Sequence, residues 1–449
     1  MTGIAGVTLR PLRALLTTSL LLLGAVNAAA PAAPPAGGPV PGAGTPAVVT
    51  LTLGETGTSI SPLAVSGFNV PYDMSVAEAL PAVRSIAPTS LRYPPGNVGD
   101  EQDLTRSGLT GFRSTLQLAG PQARATVETR VFSTRPDARN RPEDAAQAAR
   151  DARALGLNVE YWEIGNEPDL YATNRGDPSW TPERYCRTFR AQRAAILQVD
   201  PRARFAGPAV SNVTGAGGPF LEAFVKACGD VVDLLTWHEY PTDGQGSDED
   251  ALATADRVTQ HLQRHRALMA DPASNPLGAG RTVGYGVTEY GLSYVSNRSR
   301  HLSDMVAALW AAETTLRLAD GGATLAQYFA LIGSGSHGLV DLAGIPRPTL
   351  YAFRELRTYA GTALPLHSSD PAVWAHAALN GTRLTVIASN TATTPAVLRT
   401  ALPGYRLLGA KGFTAQTVDD EAPPARRPLG ADLTLPARSL TRLVYARQP

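Results

Sequence analysis

The sequence has little net charge and no block of lysine or arginine. Its 40 basic and 39 acidic side chains nearly cancel over 449 residues, which leaves a formal net charge of +1 at pH 7. Nucleic-acid-binding domains carry a clustered basic surface. The composition therefore predicts no nucleic-acid partner and favours a neutral or only locally charged ligand.

Long apolar runs are absent beyond the N-terminus, so the sequence predicts no stable membrane span after leader cleavage. The N-terminus itself has Arg10 and Arg13, then an apolar run over residues 14–26, then small residues. This order is typical of an export signal. We predict a signal peptide over residues 1–28 and a secreted or periplasmic protein whose mature chain begins near Ala29, with an uncleaved anchor as the alternative.

Cysteine is scarce, and Cys186 and Cys228 are the two that occur. An even count in an exported chain fits one disulfide, and a pair of buried free thiols fits the sequence equally well. No pair of cysteines has the close spacing of a structural zinc site. The sequence predicts no metal and no cofactor.

The chain divides by composition into three segments after the leader. Residues 29–46 are rich in Ala, Pro and Gly and predict a linker. Residues 47–360 alternate short apolar strands with longer helices, and residues 361–449 have short strands separated by turns. The predicted fold class is α/β, a (β/α)8 TIM barrel with a C-terminal β-sandwich domain, and a short strand near residue 50 stands apart from the barrel pattern and is a candidate to join the sandwich. An open doubly wound sheet is the alternative.

Eight strand candidates recur in the barrel segment, and eight βα units favour a closed barrel because closure leaves no exposed strand edge. The strand candidates are Val65–Asn69, Ser90–Tyr93, Ala125–Phe132, Val159–Ile164, Arg204–Pro208, Val232–His238, Thr282–Thr288 and Leu325–Leu331. The helix candidates include Pro142–Leu155, Pro182–Val199, Pro219–Cys228, Asp248–Met269, His301–Ala319 and Thr349–Tyr359.

Two glutamates end predicted barrel strands. Glu167 follows the fourth strand in the string Trp-Glu-Ile-Gly-Asn-Glu-Pro, and Glu289 ends the seventh. Barrel enzymes hold their catalytic groups at these strand ends. Pro168 is expected to keep the backbone of Glu167 extended, because proline disfavours the helical region for the residue before it.

Two carboxylates at one face of a barrel fit the cleavage of a glycosidic bond. One donates a proton to the departing oxygen, and the other attacks the anomeric carbon. A gap of about 5–5.5 Å between the carboxyl groups gives retention of configuration, whereas inversion needs about 6.5–9.5 Å to admit a water molecule. The sequence does not give this distance.

The motif Asn166-Glu167-Pro168 with Glu289 resembles the retaining glycosidases built on (β/α)8 barrels. The string Trp162 to Leu170 is most similar to the heparanase and microbial β-glucuronidase family, as are residues 91–97 and 303–310. The resemblance implies a retaining glycoside hydrolase that forms a covalent glycosyl-enzyme and acts on β-glucuronides or related β-glycosides. Its implied partner is an oligosaccharide or glycoside substrate.

The resemblance also implies the role of each site residue. Glu167 is the acid/base and Glu289 the nucleophile, which Arg92 holds ionised. Asn166 binds the 2-hydroxyl of the sugar.

Residues on two other strands are implied to complete the site. Tyr240 donates to the nucleophile, and His238 lines the same pocket. Pro94-Pro95-Gly96 stands where related barrels often carry two glycines, which bears on the shape of the sugar pocket. The glycine-rich run 333–338 lacks the strand–turn–helix context of a dinucleotide site and is interpreted as a mobile loop over the pocket.

Other carboxylates and histidines near these motifs are expected to be structural. Glu163 is expected to pair with an arginine such as Arg130, because an unpaired buried charge is costly. Glu239 is expected to face outward. His261 and His265 are expected to be exposed on a helix.

Two other functions fit the same motifs. A non-catalytic carbohydrate-binding protein on a barrel scaffold is one, although such a protein would have lost a catalytic glutamate and both are present. A transglycosylase is the other, since it passes through the same covalent intermediate.

Overall fold

The computed structural model describes residues 48–71, 79–132, 135, 137–333, 335–414 and 425–448. The predicted signal peptide and the predicted linker lie outside these residues. Within them, no helix has the length and apolar character needed to cross a bilayer.

Eight parallel strands close into a barrel, and neighbours in the barrel follow one another along the chain. The strands are Gly67–Asn69, Ser90–Tyr93, Arg124–Thr129, Val159–Ile164, Phe205–Val210, Leu234–Glu239, Gly284–Tyr290 and Leu325–Tyr328. The last strand pairs with the first through Tyr328 and Phe68. The predicted barrel is confirmed, and all eight strands overlap the predicted ones.

Helices surround this barrel. They are Leu80–Ile86, Asn97–Glu101, Arg106–Ala119, Pro142–Ala154, Tyr171–Asn174, Pro182–Val199, Gly217–Cys228, Asp248–Ala253, Arg257–Ala270, Met305–Asp320 and Pro348–Leu356. Local signals fix several ends: the Thr181 hydroxyl accepts from the amide of Arg184, and Pro182 occupies the first turn.

One predicted helix, Asp248–Met269, is wrong as a single element. It is two helices joined by a 3-10 turn at Thr254–Asp256. The hydroxyl of Thr254 donates to the carbonyl of Ala251, 2.6 Å away, and such side-chain bonds compete with the backbone ladder of a helix.

A disulfide joins Cys186 to Cys228 and so decides between the two alternatives for these residues. The cysteines lie on the helices Pro182–Val199 and Gly217–Cys228, which pack on consecutive barrel strands. A disulfide that closes a loop of this size stabilises a protein by about 2–4 kcal/mol.

The C-terminal strands form the predicted β-sandwich. The strands after the barrel are Thr362–Leu364, Leu366–Ser368, Val373–Asn380, Arg383–Asn390, Ala396–Arg399, Tyr405–Thr414, Ala425–Arg426, Asp432–Leu435 and Ser439–Arg447. Most belong to one seven-stranded sheet, which faces a three-stranded sheet across a separate apolar core that includes Val386, Leu398, Leu435 and Leu443.

The short strand near residue 50 joins this domain, as predicted. Val48–Val49 pairs with Ala396–Arg399, and Leu51–Leu53 pairs with Leu366–Ser368. The boundary at residue 360 stays a prediction, and it falls between the last barrel helix and the first strand that follows it.

A buried ion cluster joins the sandwich to a barrel helix. His376, on a sandwich strand, contacts Asp320 at 2.7 Å and Glu313 at 3.0 Å. Burial alone would lower the pKa of His376, but the two carboxylates outweigh burial and raise it to about 10. The imidazole is therefore charged at neutral pH and holds the sheet against the helix Met305–Asp320.

Candidate active site

The two glutamates lie at one mouth of the barrel and line a cavity of about 410 Å³. Asn166 and Tyr240 line the same cavity. Arg92 and His238 are fully buried and contact the carboxylates at its floor. The fold therefore brings all six residues singled out in the sequence into one site.

Both carboxylate oxygens of Glu289 accept hydrogen bonds. Arg92 donates from Nη1 to Oε1 at 2.5 Å, and Tyr240 donates from its hydroxyl to Oε2 at 3.0 Å. Burial, reinforced by the charge of Glu289, raises the pKa of Tyr240 well above its usual range, so it remains a phenol that can donate. These donors hold the Glu289 carboxylate in one orientation.

Glu167 has a different partner. Its Oε1 lies 2.9 Å from Nδ1 of His238. Burial lowers the pKa of His238, but the charges of Glu289 and Glu167 outweigh burial, and the net shift is upward. Glu167 keeps 15% of its side chain exposed to the cavity, against 6% for Glu289, so a ligand can reach both.

The backbone of Glu167 contradicts the expectation from Pro168. It is left-handed, with φ 47° and ψ 51°, rather than extended. Tertiary hydrogen bonds override the local preference, because the amide of Glu167 donates to Ala209 and its carbonyl accepts from Leu170 in the turn that follows. Strained backbone of this kind is concentrated at functional sites.

The two carboxylates are close. An oxygen of Glu167, an oxygen of Glu289 and a ring nitrogen of His238 all lie within 4.8 Å of one another. Within the described residues these three are also the one group that could hold a metal ion. The positive charge of Arg92, 2.5 Å from Glu289, would repel a metal ion and so disfavours its binding there.

Arg92 is the centre of a buried charge cluster below the cavity. It contacts Glu163 at 2.5 Å and Glu128 at 2.9 Å, in addition to Glu289, and it donates to the side chains of Asn69 and Asn166. Burial raises the pKa of Glu128 well above its usual range, although the charge of Arg92 opposes the shift. The single positive charge of Arg92 is therefore shared among the acidic side chains that it contacts.

The predicted partner of Glu163 is wrong. Glu163 pairs with Arg92, and Arg130 pairs instead with Asp103 at 2.5 Å. Both Glu163 and Arg92 point into the barrel interior, whereas Arg130 lies just beyond its strand. The structural role expected of Glu163 is consistent with this contact.

No family model matches the chain. It is 28% identical over 219 residues to heparanase from Rattus norvegicus, a match that covers 47% of this chain and 39% of that protein. It is 26% identical over 247 residues to a beta-xylosidase from Caldicellulosiruptor saccharolyticus, over 51% of this chain and 48% of that protein. The matches span less than half of each curated relative.

Solved structures match over nearly the whole chain. A family 51 alpha-L-arabinofuranosidase from Bifidobacterium longum superposes with a TM-score of 0.70 at 15% identity, over 90% of this chain and 100% of that one. A monomeric beta-xylosidase from Caulobacter crescentus gives 0.62 at 18% identity, over 90% and 100%. The chain has the fold of these glycosidases.

Asn69 and Glu128 also contact Arg92 in the site, and neither was predicted from the sequence. Asn69 accepts from Arg92 and donates to the backbone of the seventh strand. Asn69 ends a predicted strand and Glu128 lies within one. A polar side chain in an otherwise apolar strand is unusual, and this pattern could have indicated both residues.

Glu239 faces outward from the sixth barrel strand, as expected, but the expectation that His261 and His265 are exposed was wrong. Glu239 is buried and accepts from Trp237 at 2.8 Å, and it lies 2.6 Å from His261. His265 is also buried and packs on the ring of Trp237, and burial lowers its pKa to about 3. Side chains that point out of a barrel meet the helix layer rather than solvent.

The glycine-rich run lies at the cavity that holds the two glutamates, as expected. Gly333 and His337 line the cavity. Arg347 fixes this loop by donating to the carbonyls of residues 335–338. Burial lowers the pKa of His337 to about 4, so the ring is neutral near pH 7.

Gly96, in the segment Pro94-Pro95-Gly96, lies beside Glu289. Its φ is +58°, and a Cβ there would lie 3.1 Å from Oε1 of Glu289. A side chain at this position would be strained and would crowd the carboxylate. The site thus keeps a glycine where the backbone comes closest to Glu289.

Proposed function

We propose that this chain is a retaining glycoside hydrolase. The observation that carries the proposal is the separation of at most 4.8 Å between oxygens of Glu167 and Glu289 across one cavity. This upper limit is nearer to the about 5–5.5 Å between the carboxyl groups of retaining enzymes than to the about 6.5–9.5 Å that inversion requires to admit a water molecule.

The two carboxylates have partners suited to different tasks. Glu289, held by Arg92 and Tyr240, attacks the anomeric carbon as Glu167 gives its proton to the departing oxygen, so the glycosidic bond breaks and a glycosyl ester forms. Glu167 then takes a proton from water, which attacks the same carbon and releases Glu289. Asn166, fixed by Arg92 beside the pair, is placed to bind the 2-hydroxyl.

The relatives support the reaction class and leave the sugar open. The similar proteins are a heparanase, a beta-xylosidase and an alpha-L-arabinofuranosidase. We propose a β-glucuronide or a related β-glycoside as substrate, on the basis of the resemblance to the heparanase and β-glucuronidase family. The preferred sugar is identified by comparing the rates at which the protein hydrolyses a chromogenic β-glucuronide, β-xyloside and β-glucoside.

The stereochemical outcome tests the mechanism. With the best of these substrates, proton NMR during the first turnovers should show product with the anomeric configuration of the substrate. A matching 2-deoxy-2-fluoro glycoside should inactivate the protein and add the mass of one sugar to the peptide that contains Glu289. Inverted product would contradict the proposal.

We also propose that the protein is exported. The disulfide between Cys186 and Cys228 supports this, because disulfides persist in oxidising compartments, and the N-terminal sequence has the order of an export signal. N-terminal sequencing of protein made by a secreting host should find a start near Ala29. Full-length protein in the cytosolic fraction would contradict export.

A further inference from the structure

A second cavity, of about 410 Å³, lies on the β-sandwich. Its walls come from the strands Tyr405–Thr414 and Ser439–Arg447 and from the segment that begins with Ala425. Its lining combines cationic and aliphatic side chains: Lys411, Arg426, Arg427 and Arg442 with Leu408, Ala410, Leu429 and Val444.

Positive charge in this cavity is largely uncompensated. Arg442 donates to Glu355 at 2.6 Å. In the part of the chain that the structure describes, Lys411, Arg426 and Arg427 have no carboxylate within ion-pair distance. Among the described residues, four cations thus surround a cavity with one paired carboxylate, in a protein whose total charge is only +1.

Arg427 is held in place with a donor left over. Its guanidinium lies over Gly412, where an added Cβ would come within 2.6 Å of Nε. That Nε is buried and has no hydrogen-bond partner. A buried donor without an acceptor costs free energy, and burial, with no compensating carboxylate among the side chains that the structure describes, lowers the pKa of this guanidinium.

The apolar part of the lining is aliphatic and open to solvent. Leu408 is 39% exposed and Leu429 is 54% exposed, and both are among the most exposed large apolar side chains. Sugar rings present C–H faces that pack on such side chains. Single-stranded nucleic acids, in contrast, are bound by aromatic rings on which bases stack.

We propose that this cavity binds an anionic carbohydrate, a glycan whose rings carry sulfate or carboxylate groups. Lys411, Arg426 and Arg427 bind the charged groups, and Leu408 and Leu429 contact the ring faces. The choice of a carbohydrate rests on the proposed function, whereas the anionic character rests on the cavity alone. Such a site holds a polymer on the sandwich independently of the catalytic cavity.

Binding to the full chain tests the proposal. Heparin and polygalacturonate serve as sulfated and carboxylated probes, dextran as a neutral one, and isothermal titration calorimetry gives the Kd. The double change Lys411→Gln with Arg426→Gln should raise the Kd for the anionic glycans about a hundredfold, because each of the two charged hydrogen bonds contributes a factor on the order of ten. Arg383→Gln, an exposed sandwich position outside the cavity, is the matched control and should leave the Kd unchanged.

The double variant should hydrolyse the chromogenic glycoside at the wild-type rate, since neither side chain touches the catalytic cavity. No binding of either anionic glycan, equal weakening by Arg383→Gln, or equally tight binding of a single-stranded DNA oligonucleotide would overturn the proposal. Glycan binding by a chain that hydrolyses no glycoside would remove the proposed function and leave the anion site standing.

Discussion

Replacing Glu289 with glutamine should lower kcat by about 10⁴-fold or more, because the amide cannot attack the anomeric carbon and loss of a covalent nucleophile has effects on this scale. The fold should survive, since glutamine has nearly the same volume, its carbonyl can still accept from Arg92, and its amide nitrogen can donate to the hydroxyl oxygen of Tyr240. Steady-state hydrolysis of the best chromogenic glycoside measures the change.

Glu239→Gln is the matched control for this variant. Glu239 is also a buried carboxylate at the end of a neighbouring strand, but it bonds Trp237 outside the catalytic cavity. The variant Glu239→Gln should keep kcat within about one order of magnitude of the wild-type value, the range expected when no transition-state contact is lost.

A third variant, Glu289→Ala, tests the nucleophile by chemical rescue. Added azide should restore its turnover and yield the glycosyl azide of opposite anomeric configuration. Undiminished activity of Glu289→Gln would exclude it as the nucleophile.

The sequence predicted the catalytic pair because the evidence for it is local. Glu167 and Glu289 each end a strand within a short, readable string, and the ends of parallel barrel strands meet at one face. Their separation could not be predicted, because it depends on strand stagger and on the backbone of Glu167, which tertiary hydrogen bonds hold left-handed.

Pairings between distant strands could not be predicted either. Arg92 reaches Glu163, Glu128 and Glu289 because strands two, three, four and seven aim side chains at one point inside the barrel. The position of each strand, and which of its side chains point inward, can be predicted from the sequence. The pairing of a particular buried carboxylate with a particular arginine depends on how the barrel closes. The same limit applies to Glu239, whose outward side meets a helix rather than solvent.

Arg92→Met should be the most destabilising change in the site. It would leave Glu163 and Glu289 buried without their cation, and removing one partner of a buried ion pair costs about 3–5 kcal/mol. Activity should fall as well, because Glu289 loses the donor that orients it. Urea unfolding followed by tryptophan fluorescence measures the free energy, with Arg106→Met as control: Arg106 makes an exposed pair with Asp151, and its loss should cost less than about 1 kcal/mol.

A second change separates charge balance from catalysis. Adding Glu163→Gln to Arg92→Met removes one of the uncompensated carboxylates and should recover about 1 kcal/mol or more of the lost stability, because neighbouring sites couple on this scale. It should not restore kcat, since Glu289 still lacks Nη1 of Arg92. If both stability and kcat recovered, Arg92 would act through folding alone. If neither stability nor kcat recovered, the charge of Glu163 would be compensated elsewhere.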